Sequence, residues 1–328
     1  MMKTITVVIP VFNEAGAIVP HLETILATTR EVAANFQFLI IDDGSSDNTA
    51  KEVHQLCEKT EEVELICLSR NFGKEAAIFA GITHAQGDAV IVMDSDLQHP
   101  PELIEKMIQL WHQGIDVVEA YKASRGKETW TSNILANGFY SLFKFLSGMD
   151  IKNHSDFKLL DRRVVDVYCR LPERKRFFRG LVHWMGFSTA KIPFEVPERQ
   201  AGSSAWSRLR LLKFSLTAIT SFSSLPLQII TLLGFFFLLI TMVIGGISLY
   251  DKFVGHAVSG FTTVILLLLL IGGFIMIGLG LIGIYLAHIY DEIKARPSFL
   301  INWRKSSIES MQQLPPDDYL QPPQKQEK

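Results

Sequence analysis

The sequence predicts an α/β fold, in which a mostly parallel sheet carries helices on both faces, followed by two membrane-spanning helices. Three observations lead to this prediction. Strand-like and helix-like apolar patterns alternate through about the first 120 residues, which favours a parallel sheet covered on both faces. Polar residues follow four of these strands. Two long segments without any charged side chain lie near the C-terminus.

Short runs of β-branched and aliphatic residues mark the strands, and longer amphipathic runs mark the helices. The predicted order is strand 4–10, helix 14–28, strand 36–42, helix 46–59, strand 64–69, helix 74–85, strand 89–93, helix 102–111 and strand 116–121. Residues 129–148 have a helical pattern, and residues 155–165 an extended or mixed one. In sheets of this kind, ligands bind beyond the carboxyl ends of the strands, where the strand order reverses.

Two apolar segments are predicted to cross a membrane. Residues 225–250 and 261–289 contain no Lys, Arg, Asp or Glu, and both exceed the roughly 20 residues that a spanning helix needs. Residues 206–220 alternate basic and apolar side chains as an interfacial helix does. Basic residues flank the pair of segments on one side of the predicted membrane, and the positive-inside rule places that side in the cytoplasm. These residues are Arg208, Arg210, Lys213, Lys294, Arg296, Arg304 and Lys305.

These features predict four regions in a multi-pass protein of the cell's inner membrane. They are a cytosolic catalytic domain over 1–205, a juxtamembrane amphipathic helix over 206–224, a two-helix hairpin over 225–290, and a partly disordered cytosolic tail over 291–328. Basic and acidic residues nearly balance, at 32 against 34, which argues against a nucleic-acid partner. No secretory signal peptide is evident, and three cysteines without metal-ligand spacing indicate reduced thiols.

The acidic residues after the strand at 89–93 are the strongest candidates for chemistry. Asp94 and Asp96 lie one residue apart, and two such carboxylates repel each other unless a cation lies between them. Oxygen ligands suit Mg²⁺ or Mn²⁺, and Mg²⁺ commonly completes its coordination with water and substrate phosphates. The alternative is an acidic turn before a helix that Pro100 and Pro101 begin.

The neighbouring strand ends carry further polar segments, and together they resemble a known family. The segments are 8–14 (VIPVFNE), 42–47 (DDGSSD), 70–74 (RNFGK) and 93–101 (MDSDLQHPP). In this order and spacing they resemble family 2 glycosyltransferases of the Rossmann-like GT-A fold. The similarity is to the polyprenyl-phosphate subgroup, which includes the dolichol-phosphate mannose synthase relatives and, with two C-terminal spans, the bactoprenol glucosyltransferases.

The resemblance implies roles for individual residues at the donor site. Nucleotide-sugar binding is implied for Pro10, Phe12, Glu14, Asp42, Asp43, Arg70, Lys74 and Asp94. Asp43 would accept a hydrogen bond from the uracil, or would simply form a turn before Gly44. Arg70 would reach the nucleotide or hold its own loop, and Lys74 has the alternative of a solvated residue. Asp94, Asp96 and Gln98 would bind the Mg²⁺ or Mn²⁺ ion.

The resemblance also implies an acceptor site. Asp156 would face the acceptor and act with Asp96 as a catalytic residue, and Arg125, Arg179 and Arg199 would bind phosphate. A phosphate monoester is already largely dianionic at neutral pH, so we expect Asp156→Ala to lose activity only in part. The chain departs from the family pattern where Thr131 and Ser132 replace a basic pair, and where Ala205 and Trp206 replace a lysine and a tyrosine.

The expected reaction is an inverting transfer of glucose from UDP-glucose to undecaprenyl phosphate at the cytoplasmic membrane face, for surface-glycan modification. GDP-mannose and UDP-aminoarabinose remain open as donors. A processive polysaccharide synthase is disfavoured, because its Gln-x-x-Arg-Trp motif and extra spans are missing from the sequence. The rival of a different class is a non-catalytic membrane-anchored nucleotide-sugar binder. The sequence leaves open whether the chain forms a homo-oligomer.

Overall fold

The computed structural model describes residues 3–124, 154–174, 176–195, 225–254 and 261–307. Its strands are β1 Thr4–Val11, β2 Asn35–Asp42, β3 Val63–Cys67, β4 Ala89–Val92, β5 Val117–Ser124, β6 His154–Asp161 and β7 Thr189–Glu195. Its helices are α1 Ile18–Thr29, α2 Thr49–Cys57, α3 Lys74–His84, α4 Leu103–His112, α5 Arg162–Arg170, α6 Phe178–Trp184, α7 Leu225–Val254 and α8 Phe261–Ile293. Taken in chain order, the nine elements from β1 to β5 alternate between strand and helix as the sequence predicted.

The seven strands form one sheet in the order β3-β2-β1-β4-β6-β5-β7. Pairing is parallel except for β6, which runs antiparallel to both β4 and β5. The predicted α/β class with a mostly parallel sheet is therefore confirmed. Residues 155–165 turn out to be two elements, because Asp161 ends β6 and accepts a hydrogen bond from the backbone N–H of Arg163 in the first turn of α5.

Helices cover both faces of the sheet because alternate strand residues point to opposite sides. Ile5, Val7 and Ile9 of β1 belong to a buried apolar cluster that includes residues of α1, α2 and α4. Val8 faces the other side, where α3 packs so closely that a Cβ atom on Gly81 would lie 2.2 Å from a Val8 methyl group. The glycine thus permits the close approach of α3 to β1.

The free edge of β3 is covered by residues 296–307, which we call the strap. The backbone N–H of Asn302 donates to the Cys67 carbonyl at 2.7 Å, and that of Ser69 donates to the Leu300 carbonyl at 2.8 Å. The Ser306 hydroxyl accepts from the Cys67 N–H at 3.0 Å. The strap belongs to the same compact unit as the sheet, whereas the sequence suggested only a partly disordered tail there.

The helices α7 and α8 belong to a second compact unit. Both contain a stretch long and apolar enough to cross a membrane by length and composition, with mean hydropathy of 2.6 over Leu227–Ile244 and 2.3 over Leu270–Ile293. Their 30 and 33 residues correspond to lengths of about 45 and about 50 Å, more than the roughly 30 Å of a bilayer core. Phe237 packs on Phe274 between them, with ring centroids 4.6 Å apart.

Candidate active site

The polar segments after β1, β2, β3 and β4 meet at one edge of the sheet, which we call the donor rim. It comprises residues 12–14, 42–45, 70–73 and 94–98. Hydrogen bonds tie these loops together: Asn13 Oδ1 accepts from the Ser46 N–H at 2.8 Å, and the Ser95 hydroxyl donates to Glu14 Oε2 at 2.6 Å. Parallel strands bring their carboxyl ends to the same edge, so four separate sequence segments become one surface.

Asp43 connects the second and third loops of the donor rim. Its two carboxylate oxygens accept the backbone N–H groups of Phe72 at 2.7 Å and Gly73 at 2.9 Å. The adjacent Gly44 has φ +68°, and a Cβ atom there would lie 2.3 Å from the carbonyl carbon of Arg70. A glycine is therefore required at this position. Burial raises the pKa of the Asp43 carboxyl, and the two N–H donors oppose that shift.

The neighbouring Asp42 has a local role in its own loop. It is buried, and its carboxylate accepts the Ser45 backbone N–H with both oxygens at 3.2 Å. Burial raises the pKa of this carboxyl as well. Asp42 thus shapes the turn that presents Asp43 and Gly44 to the rim.

The other predicted nucleotide-binding residues differ in accessibility. Pro10 lies buried inside β1, whereas the Phe12 side chain just beyond the strand is 43% exposed. Arg70 is exposed and lies over the Phe72 ring, with its guanidinium carbon 4.6 Å from the ring centroid. Phe12 and Arg70 are therefore accessible to a ligand at the rim, whereas the Pro10 side chain is buried.

The acidic pair lies in a tight loop directly after β4. The Asp94 side chain is 28% exposed, and the more exposed Asp96 accepts the Gln98 backbone N–H at 3.1 Å. Leu97, which directly follows Asp96, has φ +55°, a conformation that non-glycine residues adopt rarely and that concentrates at functional sites. The loop thus places Asp94, Asp96 and Gln98 together at the rim.

The donor set fits a cation that shares its coordination with a substrate. Among the residues that the structure describes, no three acidic, histidine or cysteine side chains are grouped closely enough to enclose a metal by themselves. Two carboxylates that are at least partly exposed suit Mg²⁺ or Mn²⁺, which keep water or phosphate oxygens in their coordination. Asp94, Asp96 and Gln98 are the residues here that could hold such an ion.

Asp156 reaches the donor rim because β6 is antiparallel. Val92 of β4 pairs with Lys158 of β6. In an antiparallel pair the next residues forward on one strand face the preceding residues on the other, so this register brings Asp94 opposite Asp156. Asp156 is buried, and its carboxylate forms a bidentate ion pair with Arg179. Nε donates to Oδ1 at 2.6 Å and Nη2 donates to Oδ2 at 2.8 Å. The geometry places the predicted acceptor-facing residue beside the predicted metal pair.

Lys74 contacts both of these acidic residues. Its Nζ atom lies 2.5 Å from Asp94 Oδ1 and 2.8 Å from Asp156 Oδ2. Arg179 and Lys74 together hold the pKa of the Asp156 carboxyl well below its usual range, although burial acts in the opposite direction. Asp156 is therefore a fixed negative charge in this arrangement, held between two cations.

Three further residues at the site were not singled out from the sequence. The Glu75 carboxylate accepts the backbone N–H of Phe178, the first residue of α6, at 2.8 Å. Lys158 and Glu119 form a buried ion pair at 2.7 Å between β6 and β5, with side chains only 2% and 3% exposed. Lys158 and Glu119 did not stand out in the sequence, because β5 also contains Lys122 and β6 also contains two aspartates. Glu75 gave no signal because it follows a charged lysine at a helix start.

Some predictions fall on residues that the structure does not describe. These are the phosphate-binding roles of Arg125 and Arg199, the helix over 129–148, the amphipathic helix over 206–224, and the departures at 131–132 and 205–206. Of the three predicted phosphate-binding arginines, only Arg179 can be placed, and it is paired with Asp156.

Comparisons with known proteins identify the family of this chain. Residues 6–168 match the model of glycosyl transferase family 2. The bactoprenol glucosyl transferase of Shigella phage SfX is 37% identical over 303 residues, covering 92% of this chain and 99% of the phage protein. An uncharacterized glycosyltransferase of Synechocystis is 36% identical over 304 residues, covering 92% of this chain and 96% of that one.

A solved structure with a similar chain path is the glucosyl-3-phosphoglycerate synthase of Mycobacterium tuberculosis in complex with Mn²⁺ and UDP-glucose. It matches 66% of this chain and 77% of its own, at 18% identity and a TM-score of 0.45. The family match covers β1 to α5, which includes the donor rim and Asp156. Together with relatives of this identity and coverage, that match shows that the chain belongs to glycosyl transferase family 2.

Proposed function

We propose that the chain transfers glucose from UDP-glucose to undecaprenyl phosphate at the cytoplasmic face of the membrane, with inversion at the anomeric carbon. The observation that carries this proposal is the 37% identity to a bactoprenol glucosyl transferase over 92% of this chain. Because so little of the chain remains unmatched, neither apolar helix falls wholly outside that similarity. The product would serve surface-glycan modification.

The donor rim supports this proposal on the nucleotide side. Phe12 and Arg70 offer an exposed ring and an exposed guanidinium, while Asp43 retains acceptor capacity on a carboxylate that two N–H groups hold in place. Asp94, Asp96 and Gln98 would hold a Mg²⁺ or Mn²⁺ ion beside the donor diphosphate. When bound, that ion supplies positive charge for the departing nucleotide.

The acceptor side is supported by the group around Asp156. Inversion requires that the lipid phosphate attack the anomeric carbon from the face opposite the leaving diphosphate. A dianionic phosphate needs little help from a base, and an Asp156 carboxylate paired with Arg179 and Lys74 is poorly suited to take up a proton. We assign Asp156 to holding these two cations in place, so that catalysis depends on positioning and charge.

Membrane attachment through α7 and α8 fits this acceptor. The chain leaves the catalytic unit before α7 and returns to the same unit at the strap. If it crosses a membrane between these points, it must cross an even number of times. Two crossings satisfy this requirement, and the basic residues on both flanks favour a cytoplasmic catalytic unit.

The decisive experiment incubates membranes that contain the chain with a panel of labelled nucleotide sugars and undecaprenyl phosphate, and then identifies the labelled lipid. We expect transfer from UDP-glucose that needs a divalent ion and that Asp96→Ala abolishes. Labelling from GDP-mannose or from UDP-aminoarabinose instead would identify one of the alternative donors. Nucleotide-sugar binding without any labelled lipid would favour the non-catalytic binder, and normal turnover of Asp96→Ala in EDTA would refute the metal site.

A further inference from the structure

Lys74 occupies an unusual position among the charges of the site. It is the first residue of α3, and its ammonium group touches one carboxylate from the loop after β4 and one from β6. The Lys74 side chain is 44% exposed and that of Asp94 28% exposed, whereas that of Asp156 is only 6% exposed. One cation thus bridges a predicted metal ligand at the surface and a buried acceptor-site carboxylate.

The local charges explain why a cation is needed there. Asp94 and Asp156 would repel each other across neighbouring strands if nothing lay between them. Arg179 donates to both carboxylate oxygens of Asp156 through Nε and Nη2. Among the described residues, Lys74 is the one cation within ion-pair distance of Asp94. It therefore neutralises the carboxylate that a divalent ion would need.

We propose that Lys74 is a built-in counter-ion that competes with the divalent metal for Asp94, and that metal binding transfers its ammonium group to Asp156 alone. This inference rests on the proposed metal-dependent function. The physical reason is that Lys74 Nζ already lies 2.5 Å from Asp94 Oδ1. A Mg²⁺ ion bound to the same carboxylate would need one of its oxygens at about 2.0–2.1 Å. Two cations on the same carboxylate lie close together and repel each other.

Competition has a consequence for the order of events. Without metal, the Lys74 ammonium group links Asp94 of the acidic loop to Asp156 of β6. With metal and nucleotide bound, Lys74 is left to Asp156 and the acceptor side. Loading of the donor site would thereby change the charge that an incoming lipid phosphate meets.

Two other roles for Lys74 make different predictions for metal affinity. If the lysine only orients Asp94, its removal should weaken the binding of a metal ion. If it serves only as a contact for the donor diphosphate, its removal should leave metal binding in the absence of nucleotide unchanged. Competition alone predicts that removal strengthens metal binding.

The test measures Mn²⁺ binding to the purified full chain in detergent, without nucleotide, by electron paramagnetic resonance. We expect Lys74→Met to bind Mn²⁺ on the order of tenfold more tightly than the unaltered chain, within the coupling range of contacting charges. Lys74→Arg retains the charge and should stay close to the unaltered chain. The matched control is Lys59→Met, because Lys59 is exposed and precedes β3 at the opposite end of the sheet from the donor rim.

Equal or weaker Mn²⁺ binding by Lys74→Met would overturn the inference. Thermal unfolding of each variant checks that the fold is intact, and Lys74→Gln provides a second neutral variant if Lys74→Met unfolds. The outcomes separate this inference from the proposed function. If the unaltered chain binds no Mn²⁺ with or without UDP, the metal site itself fails. If Lys74→Met binds Mn²⁺ more tightly but no lipid is ever labelled, the competition holds and the transfer reaction fails.

Discussion

The backbone N–H of Asp94 donates a hydrogen bond to Nδ1 of His99 across 3.0 Å. The His99 ring is buried and stacks on Phe157, with centroids 5.2 Å apart and planes inclined by 16°. Because Nδ1 accepts this bond, the ring is neutral and carries its proton on Nε2. A histidine five residues beyond Asp94 thus holds the backbone of the acidic loop against β6.

The first prediction separates the two contacts of His99. His99→Phe keeps a ring for stacking but leaves the Asp94 N–H without its acceptor, which should cost about 1–3 kcal/mol of unfolding free energy. His99→Asn can keep an acceptor but loses the stacking. We expect His99→Phe to impair Mn²⁺ binding more than His99→Asn does. Calorimetry and Mn²⁺ titration check this, and the reverse order would show that stacking holds the loop.

A second prediction concerns the acid stability of the catalytic unit. Burial lowers the pKa of His99 from 6.5, and it lowers that of His84 in the same direction. The unfolded chain therefore binds protons on these rings at a pH where the folded chain does not. The contribution of these two histidines to the free energy of unfolding should fall as pH drops below about 6.5. Denaturant unfolding at a series of pH values measures this slope. His99→Asn should reduce it, and an unchanged slope would contradict the assignment.

A third prediction concerns Asp156. Its pKa is held low by Arg179 and Lys74, so this carboxylate stays ionised between about pH 5 and about pH 9 and contributes no acid limb to the pH profile of kcat. Asp156→Asn should lower kcat by about tenfold through misplacement of the two cations, which is less than the hundredfold or more expected for loss of a general base. Steady-state kinetics with labelled UDP-glucose provide the measurement. A larger loss together with an altered acid limb would identify Asp156 as a base.

A fourth prediction concerns Glu75. Burial, with the nearby Asp156 charge, raises the pKa of its carboxyl from 4.5 to about 7. The folded chain then holds a proton that the unfolded chain releases. The contribution of Glu75 to the free energy of unfolding should therefore fall as pH rises between about 4.5 and about 7, opposite in sign to that of the histidines. Glu75→Gln keeps an acceptor for the Phe178 N–H and should remove this dependence. Glu75→Ala removes the acceptor as well, and should raise the KM for lipid phosphate by misplacing α6 and Arg179. Identical kinetics for the two variants would argue against this positioning role.

A fifth prediction concerns the strap. The Phe299 ring packs against Phe79 and His84, with centroids 5.7 and 6.1 Å away. Phe299→Ala should therefore cost about 1–3 kcal/mol of stability, less than full burial would imply. Leu300→Ala is the matched control, because the Leu300 side chain is 42% exposed and its strap contact is made by the backbone. Equal melting temperatures for the two variants would show that the strap does not stabilise the unit.

The elements from β1 to β5 could be predicted from the sequence because each carries its own local periodicity. The meeting of Asp43, Asp94 and Glu14 at one edge followed from the geometry of parallel strands. The direction of β6 could not be read in this way, since pairing is decided between distant residues. Yet that direction is what brings Asp156 opposite Asp94.

The partners of the site residues were harder to predict than the residues themselves. The resemblance pointed to Lys74 and Arg179 as ligand-binding groups, but not to their shared contact with Asp156. The strap had no apolar period of its own, because it is held largely by backbone groups and serine hydroxyls that pair with β3 about 240 residues earlier. Pairing of this kind leaves little trace in local sequence.

The strap also affects how the protein is made. β3 emerges from the ribosome long before residues 296–307 exist, and at about 5–20 residues per second the delay amounts to tens of seconds. During that interval the nascent sheet has an unpaired edge, which is prone to join with other chains. Both apolar helices are translated within the same interval. A stalled or prematurely terminated chain would therefore leave the ribosome with that edge still open.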